Sequence, residues 1–226
     1  GAGGFVLAGR FGWPVALLAA AALVAAVVPF TLTAPALPPV QHPVTSLRQA
    51  VLGPAREFLF RAGPNRTWQL LLLVLLYRWP DGLLSAMAIP FLKLQGFSDA
   101  DIGLVQGGWA IAATMAGTVL GGVLFSRLGM NRSLWLFALA GAAGNLSYWA
   151  LAQFGGGFAG LITAVSLENL TGGMVGAVFV ALLMGLCNPR FSATQYALLS
   201  GVYAMSRSIL SAPAGVVAEQ AGWPVF

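Results

Sequence analysis

An all-α helix bundle spanning a membrane is the fold class this sequence predicts, and three observations predict it. Of its 226 residues, 58% are hydrophobic and 8% charged, against about 25% charged in ordinary soluble domains. Mean hydropathy is +0.84. The apolar residues also come in runs of roughly 20 or more, the length a helix needs to cross the hydrocarbon core. A net charge of +5 would suggest nucleic acid in a soluble chain. Here the basic residues lie between apolar runs, where they set orientation, so a nucleic-acid partner is disfavoured. One cysteine, Cys187, excludes an intrachain disulfide, and one histidine, His42, argues against a His-rich metal cluster. No metal and no cofactor is expected.

Six spans are predicted, at residues 13–33, 67–92, 102–125, 133–152, 158–187 and 193–218. The sequence starts without Met and ends as another apolar run begins, so a segment of a longer protein is expected. The first span carries no polar side chain beyond Trp13 before its end and reads as lipid-facing. Residues 34–66 form the one long connection. Its start, APALPPVQHP, is too proline-rich for helix, and SLRQAVLGPAREFLFR reads as a short interfacial helix interrupted near Gly53 and Pro54. The later connections are short, which makes consecutive helices antiparallel neighbours. Seven loop arginines (Arg48, Arg56, Arg61, Arg66, Arg127, Arg132 and Arg190) fall on one side of the predicted topology, with only Arg10 and Lys93 on the other. That bias places the linker in the cytoplasm.

The spans sort by polarity. The second carries Tyr77, Arg78, Asp81 and Ser85 around Pro80. The third carries Gln106, Thr114 and Thr118 among glycines. The fourth has only Asn145, Ser147 and Tyr148 in its second half and reads, like the first, as lipid-facing. In the sixth, Tyr196, Ser200, Tyr203, Arg207 and Ser211 recur every three or four residues as one polar stripe. Spans two, three, five and six are therefore expected to enclose a polar passage. Asp99 and Asp101 follow Phe97 and Ser98 as acids suited to a helix start.

The fifth span organises the rest, because Glu168 and Asn169 sit inside its apolar run. A carboxylate at mid-membrane costs roughly 2.5–3.5 kcal/mol on insertion scales and is expected to face a bundle interior or a watery cavity. At helical spacing Glu168, Gly172 and Gly176 form one line, with Asn169 and Gly173 beside it. The glycines Gly121, Gly122, Gly172, Gly173 and Gly176 are assigned to close helix packing. Four ionisable residues lie within spans: Arg78, Asp81, Glu168 and Arg207. Two readings stand for them. They are structural ion pairs, or one carboxylate gains and loses a proton as access alternates. Tyr203 likewise either contacts a sugar or nucleotide or hydrogen-bonds a neighbouring helix.

Residues 121–135, GGVLFSRLGMNRSLW, resemble the loop signature of the major facilitator superfamily, with Ser126 where that pattern usually has Asp and Asn131-Arg132 for its paired basics. A more specific resemblance covers nearly the whole chain. ENLTGGMVGAVFVALLMGLCNPRFSATQYALLS at 168–200, the Tyr77-Arg78-x-x-Asp81 group, GFSDADIGLV at 96–105 and RQAVLGPAREF at 48–58 are similar to the bacterial muropeptide permease family within that superfamily. This resemblance implies that residues 1–33 hold the last helix of an N-terminal half, 34–66 a cytoplasmic linker, and 67–226 an incomplete C-terminal half. It implies proton-driven import of N-acetylglucosaminyl-anhydromuramyl peptides across the bacterial inner membrane. Arg78, Asp81, Glu168, Asn169 and Arg207 take substrate or proton roles by the same resemblance. The partners implied are the lipid bilayer, the solute, protons and the other half of the transporter. Related transporters of the superfamily carry acetyl-coenzyme A, which is the alternative solute. A membrane-embedded enzyme would need a nucleophile with its base, or a metal set; His42 and Cys187 lie far apart. A membrane receptor that moves no solute is the third reading.

Overall fold

The fold comes from a computed structural model that describes residues 11–33 and 46–223. Arg10, His42 and the proline-rich start of the linker lie outside the described residues. The chain divides into two units, Gly1–Val44 and Thr45–Phe226. Among the described residues every regular element is helical.

The first unit contributes α1, Trp13–Leu32, opened by Gly12 at φ 82° and Pro14 in its first turn. Twenty residues at 1.5 Å each make about 30 Å, one hydrocarbon thickness. Within this unit its large side chains are exposed, from Trp13 to Leu32.

The second unit begins with α2, Leu47–Arg61, capped by the Ser46 hydroxyl, which accepts from the Gln49 amide. The expected interruption at Gly53 and Pro54 is absent: the helix runs through Pro54. Gly53 has no Cβ to crowd the proline ring, and partners from elsewhere brace the turn. Gln195, 1% exposed, donates through Nε2 to the Pro54 carbonyl (3.0 Å) and to Glu57 Oε2, and its Oε1 accepts from the Asn188 amide (2.6 Å). Asn188 Nδ2 donates to Glu57 Oε1 at 2.8 Å, and Arg61 donates to the Leu186 carbonyl at 2.6 Å. Phe58 is buried in the apolar cluster beneath. These bonds clamp α2 to the turn at 186–195.

Removing Gln195 leaves buried groups unpaired, at about 1–3 kcal/mol. Gln195→Ala is expected to lower the thermal midpoint of the detergent-solubilised protein and to speed amide exchange throughout α2. The hydrogen bond from Asn188, aided by Gln195 and by the charge of Arg61 against partial desolvation, holds the Glu57 carboxyl below the ordinary carboxylate range. A depressed native value means that the unfolded chain binds more protons. The contribution of Glu57 is therefore complete above about pH 4.3, the unperturbed glutamate value, and drains away as the pH falls through the lower native value. Glu57→Gln is expected to abolish that acid limb in thermal scans.

The second predicted span is two helices, α3 (Pro64–Leu76) and α4 (Trp79–Leu94), broken at Tyr77 and Arg78. Pro80 is the cause. It offers no N–H to the Leu76 carbonyl and its ring would collide with that carbonyl. Pro213 does the same to the last span, dividing it into α8 (Ser192–Ser211) and α9 (Ala214–Ala221). A short helix α5, Asp99–Leu104, starts on Ser98, whose hydroxyl accepts from the Asp101 amide while Asp99 pairs with Lys93 at 2.8 Å. A π-helical turn at Val105–Trp109 leads into α6, Ala110–Phe154.

Spans three and four form this single helical run, interrupted at Gly129 (φ 75°, ψ 175°). Only glycine adopts that backbone without strain. The two arms run in opposite directions, as their contacts with α7 (Gly157–Leu186) show. Along the first arm Gly117 meets Leu170 and Gly121 meets Met174, a parallel course; along the second, Gly141 meets Val175 and Gly144 meets Thr171 and Glu168, an antiparallel one. Four helical stretches of the described residues are long and apolar enough to cross a membrane: Trp13–Leu32, Pro64–Leu94, Asp99–Phe154 and Gly157–Leu186. The 56-residue stretch holds two crossings because of the reversal. α8 falls below that threshold because of its polar stripe. The protein is an all-α, multi-pass membrane bundle.

Candidate functional site

The break lies midway along residues 64–94: Arg78 leaves the helical conformation (φ −112°, ψ 12°), and Pro80 denies the Leu76 carbonyl its helical donor. Arg78 takes the N-cap position of α4, and Asp81 lies in the first turn, where the helix dipole favours an anion. The pair expected from their spacing is made: Arg78 Nε to Asp81 Oδ2 is 3.2 Å, with side chains 26% and 18% exposed. α7 and α8 wall this pair. A Cβ on Gly176 would stand 3.6 Å from the Arg78 guanidinium, so the bare backbone of α7 makes room for it. The guanidinium carbon sits 6.0 Å from the Tyr203 ring centre. Tyr203 packs against Phe179 (centroids 4.8 Å), which stacks on Tyr77 at 6.1 Å, and the Tyr77 hydroxyl donates to the Leu134 carbonyl (2.8 Å). This aromatic row closes the bundle on the side of the α2 clamp.

Glu168 lies two turns along α7 from Gly176, about 12 Å at the helical rise. It is half-buried and within electrostatic reach of Asp81 and Arg78. Asn169 is saturated: Nδ2 donates to Glu168 Oε2 (2.6 Å) and to the Val165 carbonyl (2.9 Å), while Oδ1 accepts from Thr114 (3.0 Å). Glu168 thus lies within reach of both α4 and Tyr148 on the second arm of α6, and Asn169 bonds to the first arm. Arg207 is exposed and does not pair with Glu168. It crosses α4 at Gly82, with Cγ 3.0 Å from where a Cβ there would stand, and lies within electrostatic reach of Asp81. Of the glycines assigned to packing, Gly121 and Gly173 touch backbone of the neighbouring helix, Gly176 faces Arg78, and Gly122 and Gly172 have open space where a Cβ would stand. Gly117 and Gly144 make equally close approaches.

A cavity of about 620 Å³ adjoins the ion pair. Its walls correct the expectation that spans two, three, five and six enclose the passage. They come from α4 (Asp81, Leu84, Met87, Phe91), from the second arm of α6 (Ala138, Gly141, Asn145, Tyr148, Trp149) and from Val175, with Tyr77 at one end and Trp223 at the other. The fourth span, read as lipid-facing, is a cavity wall. Its polar side chains are few, but Asn145 and Tyr148 fall on its inward face together with the small residues that leave space. The third span and α8 do not line this cavity. Asp81 and Tyr77 link it to the polar group, whereas Arg78, Glu168, Asn169, Tyr203 and Arg207 stand outside its walls.

No family model matches the chain. The anhydromuropeptide permease of Escherichia coli (strain K12) is 39% identical over 182 residues, 80% of this chain and 36% of that protein. The chain belongs to the AmpG-type permease family. Putative transporter AmpG 1 of Rickettsia felis is 31% identical over 157 residues, covering 70% of this chain and 36% of that protein. Putative transporter AmpG 4 of Rickettsia conorii is 27% identical over 183 residues, covering 81% and 44%. The chain therefore spans between about a third and less than half the length of these relatives. The helical membrane bundle of an AmpG-type permease agrees with the major facilitator resemblance read from its sequence.

Proposed function

We propose that this AmpG-type chain is part of a proton-coupled secondary transporter that imports anhydro-muropeptides across the bacterial inner membrane. The observation that carries the reading is the helix break at Tyr77 and Arg78, which sets an Arg78–Asp81 pair beside a cavity midway along a span. Discontinuous helices with freed backbone and charge at the bilayer midplane are the recurring substrate and ion sites of secondary transporters. Arg78 is the group that binds solute carboxylate, and Asp81 and Glu168 are the groups that exchange protons. Asn169 fixes the Glu168 side chain, and Tyr203 and Arg207 hold the α8 side of the site. The bilayer surrounds the bundle, the basic linker faces the cytoplasm, and the remaining helices of the longer protein supply the opposite wall.

The test uses the full-length protein in proteoliposomes with labelled N-acetylglucosaminyl-anhydromuramyl tripeptide. Accumulation above the external concentration under an imposed proton gradient, abolished by a protonophore, is the expected result. Equal uptake with and without the gradient would remove proton coupling, and no uptake at all would remove the transport reading.

A further inference from the structure

We propose that Asn145 is a solute-binding residue whose side-chain amide takes the acetamido group of an N-acetylated sugar. The proposal rests on the transport reading above and names the part of the solute that the cavity recognises. Asn145 lines the cavity from the second arm of α6, across from α4. Its amide makes no hydrogen bond in this structure, and it is the exception among its neighbours. Asn169 makes three, Gln106 donates to the Tyr148 hydroxyl at 3.1 Å, and Ser147, two positions along, donates to the Gly144 and Ala164 carbonyls. Asn145 is partly exposed on the cavity wall, so its amide is open to a ligand, and pockets place a few such polar groups to orient what they bind.

The surroundings select the ligand chemistry. A carboxamide offers a donor and an acceptor side by side, and a secondary amide answers both at once. Ala142 and Leu146 flank Asn145 on the cavity wall and suit a methyl group. Trp149 stands one turn along and is 46% exposed, giving a flat apolar face of the kind that sits against sugar rings, while Phe91 and Tyr148 behind it are packed into the core. A sugar acetamido and a peptide bond share the amide chemistry; the exposed Trp149 face favours the sugar.

The experiment compares wild type and Asn145→Leu, both full-length in proteoliposomes, with three probes. They are the peptide-free disaccharide N-acetylglucosaminyl-anhydro-N-acetylmuramic acid, the same disaccharide with hydroxyls replacing its acetamido groups, and the disaccharide carrying a tripeptide. The expected result is a KM for the peptide-free acetylated disaccharide raised at least tenfold in Asn145→Leu, with kcat within twofold, and no difference between the proteins on the hydroxyl analogue. Asn145→Gln is expected to recover part of the KM. An equal loss on the acetylated and hydroxyl probes would make Asn145 structural and overturn the proposal, as would a loss confined to the peptide-bearing probe, which would assign the amide to a peptide bond. In membranes, Asn145→Cys in a Cys187→Ser background should react with a water-soluble maleimide and be protected by the acetylated disaccharide; a thiol that never reacts also overturns the assignment. If wild type moves none of the probes, the transport reading fails. Quenching of intrinsic tryptophan fluorescence by the acetylated but not the hydroxyl disaccharide, lost in Asn145→Leu, then still decides the role of Asn145.

Discussion

Gly173→Leu is expected to abolish folding of the second unit, while Gly172→Ala, one residue away, leaves it intact. A Cβ at 173 would land on the Thr114 carbonyl and stand 2.8 Å from the Thr118 nitrogen and 3.1 Å from the Gly117 carbonyl carbon. Every one of those obstacles is backbone of the facing helix, so no side chain can rotate out of the way. Overpacking of a core costs typically about 1–3 kcal/mol and occasionally more, and the helices would have to part to admit a leucine. At Gly172 nothing stands within 4 Å of the added carbon. There alanine removes the entropic penalty of glycine in a helix, about 0.5–1 kcal/mol. Size-exclusion profile and thermal midpoint in detergent separate the two variants. Monodisperse Gly173→Leu protein with an unchanged midpoint would show that α6 and α7 do not meet as described.

The second large effect is expected at the ion pair. On the proposed function, Arg78→Leu and Asp81→Leu should each cut muropeptide uptake by the full-length protein at least a hundredfold, and each also leaves a partly buried charge alone. Because both side chains keep some exposure, the stability loss is set well below the 3–5 kcal/mol of a fully buried broken pair, at about 1–2 kcal/mol. The double variant Arg78→Gln/Asp81→Asn separates the two effects. It carries no orphaned charge, so its thermal midpoint should return to near wild type while uptake stays lost. Recovery of uptake in the double variant would reduce the pair to a structural brace.

Much of this architecture can be read from residue order because membrane helices declare themselves as apolar runs, and short connections force neighbours to be antiparallel. The Arg78–Asp81 contact was readable for the same local reason: three residues of spacing bring two side chains together. The breaks at 77–78 and 212–213 do not show in an apolar run taken as one rod, although Pro80 and Pro213 each mark a carbonyl four residues earlier that loses its donor. The clamp on α2 had no local signal at all. Glu57 meets Asn188 and Gln195 across separations of 131 and 138 residues, and only the folded chain brings them together. Asn145 was legible as polar but not as inward-facing. In the fourth span the polar residues are few, and the cavity comes from small and aromatic side chains that composition counts as ordinary apolar ones.

Where α7 meets both arms of α6, main chain rests on main chain, at Gly117 with Leu170 and at Gly144 with Glu168 and Leu167. On the first arm no side chain intervenes, and on the second the Thr171 and Val175 side chains complete the contact. Across the cavity the seam between the 64–94 segment and α8 is of another kind, held by the Trp79 indole on the Leu210 carbonyl, the Ser206 hydroxyl facing the Leu75 carbonyl at 3.4 Å, and the Arg207 stem lying over Gly82. Those contacts end in side chains with alternative rotamers. The two seams therefore differ in kind: α6 and α7, which carry Asn145 and Glu168, meet at glycine-tight approaches, whereas the 64–94 segment with Arg78 and Asp81 meets α8 with Tyr203 through side chains.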